Sequence, residues 1–303
     1  MTNNENKQAL VNHLGLHLIK AGYQVKHASA DADTLIAKTA IDAVQDQNVT
    51  LVADDTDILC LLLFHLSVNA PYRLTMKTKS ARQYDIKLLK ESLGVEMCRH
   101  ILFAHAITGC DTTSRIHGIG KPTVMKLLST DLIFRRVSEE FLNSENRFNS
   151  DTIATAGETA VKMLYGESGD CNIDKLRLKK FKIKASSKSR ITQIEPSPLP
   201  PTKAACVQHS LRVFHQVQTW ISFETQLPPT EWGWELKENG ILLPIYTTKP
   251  LAPEDLLKII KCGCKGDCNT NRCVCYKNGL SCSDISQTCR GISCSNGEPA
   301  TII

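Results

Sequence analysis

The sequence predicts an α/β fold followed by a small metal-stabilised cysteine-rich domain, and three observations carry that expectation. In Val49–Leu63 an apolar run (Val49, Leu51, Val52) stops at Asp54, Asp55 and Asp57, and a second run, Ile58–Phe64, follows at once. This reads as a buried strand that delivers carboxylates to its C-terminal end, where a helix leaves; sites in open α/β sheets form at that end. Around this stretch, apolar residues recur with helical period and are interrupted by short β-branched runs. Finally, eight of the 13 cysteines fall between residues 262 and 294.

A chain of 303 residues is expected to form two domains and to bury a substantial core. Hydrophobic content of 42% and charged content of 22% are ordinary for a globular protein. No apolar run reaches the ~18 residues of a membrane span, and Met1–Lys7 has neither the basic start nor the apolar stretch of a signal peptide. An intracellular chain without membrane contact is therefore expected, with reduced thiols. Cysteine density of this kind in a reducing compartment points to zinc rather than disulfides.

Residues 5–21 form an amphipathic helix that ends at Gly22. His13 and His17 share a face, but with no carboxylate or cysteine beside them they read as surface histidines. Tyr23–Ala28 is a short strand. A second helix follows over 29–43, with Asp31 and Asp33 in its first turn, where carboxylates satisfy free backbone N–H groups and suit the helix dipole. Asp55 and Asp57 are two apart, so an extended tip points them the same way. Two like charges aimed together are tolerable with water or a cation between them. A solvated loop capping the next helix accounts for the same pattern.

Further on, residues 72–78 alternate as a strand, 84–94 make a short helix stopped by glycine, and 97–108 make a buried helix that ends at Gly109-Cys110-Asp111. His100 and His105 read as core or rim histidines. Gly118 and Gly120 permit a tight, backbone-exposed turn before Lys121 and Pro122, which suits a helix start. Such a turn is a phosphate site in outline, though Lys121-Pro122 and Arg115 depart from a P-loop. Helical patterns continue over 132–142 and 151–164. Residues 175–190 hold eight Lys/Arg and no acid, a run that usually meets a polyanion. Residues 195–201 are Pro-rich and extended. A helix over 209–220 and a strand at 241–246 accompany all three tryptophans, which read as a small core.

In the C-terminal block, Cys262, Cys264, Cys268, Cys273, Cys275, Cys282, Cys289 and Cys294 are set among almost no apolar residues. A segment this small needs a staple, and thiolates around Zn²⁺ supply one. The Cys-x-Cys pairs imply a compact multi-zinc knot with bridging sulfurs, whose folding depends on metal. Residues 261–296 resemble the tesmin-type CXC domain of chromatin and DNA-associated proteins, in which nine cysteines hold three zinc ions. Ser286 stands where the ninth is expected, so the resemblance leaves the third zinc open. It also implies DNA contacts by Lys265, Arg272, Tyr276 and Lys277.

The acidic motifs carry a second resemblance. Asp31-x-Asp33, then Asp54-Asp55-Thr-Asp57, then Gly109-Cys-Asp111, then Gly118-x-Gly120-Lys121 keep the order of the flap-endonuclease and PIN-like 5′-nuclease superfamily. That resemblance implies a parallel sheet flanked by helices. It implies Mg²⁺ or Mn²⁺ held by Asp31, Asp33, Asp55, Asp57 and Asp111, and duplex backbone held at Gly118, Gly120 and Lys121. Asp54 has no counterpart. The superfamily's first strand and its acid precede the helix at 5–21, so the region is expected to lack both. The whole arrangement is similar to uncharacterised animal proteins that join such a region to a CXC block, for which a transposable-element origin is one expectation. The domains expected are 1–165 (nuclease-like), 166–203 (basic, Pro-rich linker), 204–254 (Trp-containing segment) and 255–297 (CXC). A nuclear protein that processes or binds DNA or RNA is expected. Metal-dependent phosphodiester hydrolysis stands beside a non-enzymatic DNA- or chromatin-binding role.

Overall fold

A computed structural model describes residues 4–28, 31–187, 191–193, 195–223, 227–247, 258–292 and 294–297. The chain is α/β, mostly helical with small sheets, and divides into two compact units, Met1–Lys87 and Leu88–Ile303. The division falls inside the 1–165 span expected to be one domain.

The first unit opens with α1 (Asn4–Lys20). Residues 23–28 carry no strand, contrary to expectation. Instead Val25 and His27 lie against α1 at Gly15, where an added Cβ would stand 3.0 Å from His27 Nε2. Without a neighbouring strand this short extended segment has no ladder to satisfy its backbone. Then come α2 (Ala32–Ala43), β1 (Val49–Val52), α3 (Thr56–His65), β2 (Leu74–Lys77) and β3 (Gln83–Asp85). β1 and β2 pair in parallel, with Val49 opposite Leu74 and Val52 opposite Lys77, so β1–α3–β2 is a crossover unit. β3 joins β2 antiparallel. Among the described residues the sheet stops at three strands in the order β1-β2-β3, one pairing parallel and one antiparallel. β1 is thus an edge strand, and only Leu51 of it is buried; Val52 is 71% exposed. The buried strand expected at Val49–Val52 is only partly buried because it lies at the sheet's edge. α2 packs beside α3 and against β1. Ala37, Ala40, Val44, Leu61, Leu62, Leu74 and Met76 close the core.

In the second unit, α4 (Ile86–Leu93), which straddles the division, ends at Gly94, whose φ of 87° favours glycine. The buried helix expected over 97–108 is split at His100 into α5 (Val95–Arg99) and α6 (Ile101–Thr108). There the His100 ring Nδ1 bonds the Ser138 hydroxyl at 2.7 Å. The helices α7 (Lys121–Thr130), α8 (Leu132–Leu142), α9 (Ser150–Leu164), α10 (Ile173–Ser187) and α11 (Lys203–Ser222) follow. α11 is the central element and packs on α9, α6 and α8. Phe103, Phe134, Phe141, Val161, Phe214 and Trp220 are buried in this bundle. Where α9 meets α11, a Cβ on Gly157 would stand 1.8 Å from Ser210 Oγ, so the close approach requires glycine.

Two expected boundaries therefore run through packed structure. The Trp-containing segment supplies the central helix of the bundle, and the tryptophans Trp220 and Trp232 are core residues. The expected linker at 166–203 is helical over α10, because Ile173, Leu176 and Ala185 give the basic run a buried stripe. The remaining strands make two small antiparallel pairs, β4 (Ile191–Gln193) with β7 (Lys258–Ile260), and β5 (Trp234–Leu236) with β6 (Leu242–Pro244). One short helix, α12 (Val274–Lys277), lies in the cysteine-rich block.

Candidate metal centres

In the first unit, α2 and α3 begin with the same device. Asp31 caps α2 and its Oδ1 accepts from the Asp33 N–H at 3.2 Å; Asp55 caps α3 and its Oδ1 accepts from the Asp57 N–H at 2.8 Å. Side-by-side packing of the two helices brings the two starts together. Carboxylate oxygens of Asp33, Asp55 and Asp57 lie within 4.8 Å of one another. Asp33 and Asp57 are half-buried and Asp55 is exposed. Two helix N-termini lower the cost of this charge density, since each carries partial positive charge. A hard divalent cation lowers it further, because it takes oxygen ligands in the arrangement that three carboxylates offer. Asp31 is occupied as a cap, and its carboxylate is not one of the three.

Asp54 belongs to a different contact. Its Oδ1 accepts from the Lys79 N–H at 2.8 Å, and the Lys79 ammonium stands 3.6 Å from Oδ2. This ties the end of β1 to the turn after β2. Asp111 lies in the second unit, exposed in the turn that follows Gly109. Thr113 holds that turn, donating to Ala106 O at 2.7 Å and accepting from the Cys110 N–H at 3.0 Å. Gly118 has φ 73°, and Gly120 caps α7 without a side-chain partner, with Pro122 in the first turn. Gly118, Gly120 and Lys121 are all exposed, so the turn presents its backbone to solvent as the sequence predicts.

The cysteine-rich block forms the stronger centre. All 13 cysteines are free thiols. Sulfur–sulfur distances from Cys262 are 3.9 Å to Cys268, 3.7 Å to Cys282 and 3.5 Å to Cys289, and Cys273–Cys282 is 3.7 Å. Four thiolates about 2.3 Å from one zinc ion stand about 3.8 Å from each other, so these separations match those of a tetrahedral thiolate site that could hold such a metal. Three interlocking tetrads result: Cys262/Cys268/Cys282/Cys289, Cys262/Cys273/Cys275/Cys282 and Cys262/Cys264/Cys268/Cys273. Cys262 belongs to all three. Cys294 is packed against the cluster, and the Ser286 hydroxyl, 2% exposed, stands 4.0 Å from Cys275 Sγ. The block's interior is sulfur: its buried cluster contains cysteines alone. The C-terminal cysteines thus form a site able to hold a metal such as zinc.

With the sulfurs inward, most of the polar side chains around them face out. Lys265, Arg272, Tyr276 and Lys277 are exposed, the last three around α12. α10 is fastened to this block: the Lys261 ammonium, fully buried, donates to the carbonyls of Ala185 and Ser186 at the end of α10, and Lys182 pairs with Asp284. Sequence reading missed this fastening, since a lysine beside a cysteine looks like any surface charge. It also missed a basic cavity in the second unit, because its arginines come from separate elements.

Compared with protein-family models, with curated proteins and with solved structures, the chain finds no match.

Proposed function

We propose that the chain is a nucleic-acid-associated protein with two metal centres, a nuclease-like divalent-cation site in its first unit and a zinc-bound, DNA-contacting tail of the CXC type. The observation that carries the first part is the convergence of Asp33, Asp55 and Asp57 at two adjoining helix starts. Asp33 there meets a pair of acids, Asp55 and Asp57, from the next helix start in sequence, in the motif order of the PIN-like and flap-endonuclease superfamily. Mg²⁺ or Mn²⁺ held by these carboxylates would polarise a phosphodiester and lower the pKa of an attacking water. Asp57 and Asp33 are the ligands this reading requires, and Asp55 serves as both ligand and cap. Asp31, a cap alone, and Asp111, in the turn after α6, are the further acids that the resemblance adds.

In the tail, sulfur-bound zinc fixes the backbone while Lys265, Arg272, Tyr276 and Lys277 face a phosphate backbone, and the exposed lysines of α10 extend the positive surface. Nucleic acid, DNA first and RNA second, is the partner proposed, with a nuclear site of action. A transposable-element origin fits the pairing of the two regions.

A second reading is favoured by one observation: Asp31 and Asp55 are both engaged as helix caps, an arrangement that needs no metal. The chain is then a non-enzymatic DNA- or chromatin-binding zinc protein. Mn²⁺ binding, followed by electron paramagnetic resonance on the zinc-loaded chain, separates the two. The nuclease-like reading expects bound Mn²⁺ that is lost in Asp57→Ala and unaffected in Asp54→Ala. Free Mn²⁺ at all concentrations, or equal binding by Asp57→Ala, rejects it.

A further inference from the structure

The second unit holds a cavity of about 930 Å³ that neither metal centre uses. Its wall includes the Gly118–Gly120 turn, and its lining holds Arg115, Arg177 and Arg212, with His117 and His209, and no carboxylate. The nearest acids act from outside the wall, Asp174 on Arg177 and Glu195 on His117. Three elements supply the arginines: the loop before α7, helix α10 and helix α11. Gly109, with φ 107°, admits the first of them, since a Cβ there would stand 2.8 Å from Arg115 Cγ.

Arg212 is the most informative member. It is 7% exposed and makes no ion pair among the described residues. Its guanidinium donates to Gly233 O at 3.2 Å and to Ser114 Oγ at 3.5 Å and stands 6.0 Å from the Trp234 ring centre, so that of its five N–H donors two have an acceptor among the described residues. A desolvated guanidinium without a counter-charge is costly, and an anion in the cavity relieves that cost. Gln208 Oε1 and His209 Nδ1, buried and without a hydrogen-bond partner among the described residues, are closed off from the open volume. His209 donates from Nε2 to Ile107 O at 3.2 Å, so its Nδ1 carries the lone pair. Burial holds this ring neutral, with its pKa pushed down to about 4. The lining thus offers cationic donors for an anion and no competing carboxylate, in a volume suited to a small polar ligand.

We propose that this cavity binds a nucleotide by its terminal phosphate, which Arg115, Arg177 and Arg212 take, with the sugar and base in the remaining volume. The phosphate comes either from a free mononucleotide or from the 5′ end of a strand. Planar, forked guanidinium groups recognise both alike. The site stands independently of the carboxylates and the zinc cluster.

The test is calorimetric titration of the full zinc-loaded chain with adenosine 5′-monophosphate, adenosine, and a thymidine dinucleotide with and without a 5′-phosphate. Binding of the monophosphate identifies a free-nucleotide site. Binding of the phosphorylated dinucleotide alone identifies a strand-end site. In either case Arg115→Gln, at an exposed position that leaves the core intact, weakens binding at least about tenfold. Arg177→Gln does the same, and inorganic phosphate competes. Absence of binding by both phosphorylated ligands overturns the proposal. So does equal binding of the unphosphorylated forms, or unchanged affinity in Arg115→Gln and Arg177→Gln variants that melt as the wild type does.

Discussion

Cys262 is the hub of the cysteine cluster, and replacing it should empty the cluster. Each of the three tetrads contains its sulfur, so Cys262→Ser reduces every tetrad to three thiolates at once. Serine keeps the shape but replaces a soft, readily ionised ligand with a poor one for zinc. Cys264 belongs to one tetrad, and Cys264→Ser leaves the other two complete. The energy at stake is large, because a structural zinc contributes about 10–16 kcal/mol to a small domain at neutral pH. The interior here is made of cysteines, so no hydrophobic core compensates its loss. Elemental analysis of desalted protein should find at least about two zinc ions per wild-type chain. It should find close to none in Cys262→Ser and an intermediate content in Cys264→Ser. Wild-type zinc in Cys262→Ser, or equal loss in both variants, would refute the hub arrangement.

Chelation should also reach α10, because Lys261 next to Cys262 holds the last carbonyls of that helix. Hydrogen–deuterium exchange of residues 183–186 is expected to rise when zinc is removed, and unchanged exchange would show that the cap survives without the cluster. Gly157→Ala should destabilise the second unit by about 1–3 kcal/mol through overpacking against Ser210. Ser210→Gly should restore part of the loss in urea unfolding, and a neutral Gly157→Ala would contradict the close crossing of α9 and α11. His209 makes folding sensitive to acid. Its folded pKa, about 4, lies below the ordinary 6.5, so the unfolded chain binds the extra proton. Its stabilising contribution is complete above the unfolded value and falls away between pH 6.5 and 4, by about 3 kcal/mol. Burial shifts His100 and His215 in the same direction. His209→Asn, which retains a donor for Ile107 O, should flatten the pH dependence of urea unfolding relative to wild type; identical profiles would count against the assignment.

Local chemistry was legible in the sequence wherever a single segment carried it. The Asp-x-Asp helix starts, the Gly118–Lys121 turn and the inward cysteines all stand as their residue types require. What escaped was tertiary. Tyr23–Ala28 has strand composition but no strand to pair with, so it lies along α1. The run at 175–190 counts as a polar linker by charge, yet Ile173, Leu176 and Ala185 are enough to seat its described part, up to Ser187, as a helix. At His100, where the expected helix breaks, the ring nitrogen meets Ser138, 38 residues away. No local window reveals such a partner. Of the five acids expected to meet, Asp33, Asp55 and Asp57 do so because α2 and α3 pack side by side, a relation set by Ala37, Ala40 and the apolar face of α3. Arg115, Arg177 and Arg212 share a cavity for a similar reason, and their spacing in the sequence carries no sign of it.

Cleavage of a 5′-flap or single-stranded DNA by the zinc-loaded chain with Mn²⁺ tests the nuclease-like reading most directly. Product that needs Mn²⁺, vanishes in Asp57→Ala and Asp55→Ala, and persists in Asp54→Ala is the result expected of a catalytic carboxylate site. An intact substrate alongside salt-sensitive DNA binding would contradict it and leave a zinc-dependent DNA-binding protein whose paired acids serve as helix caps.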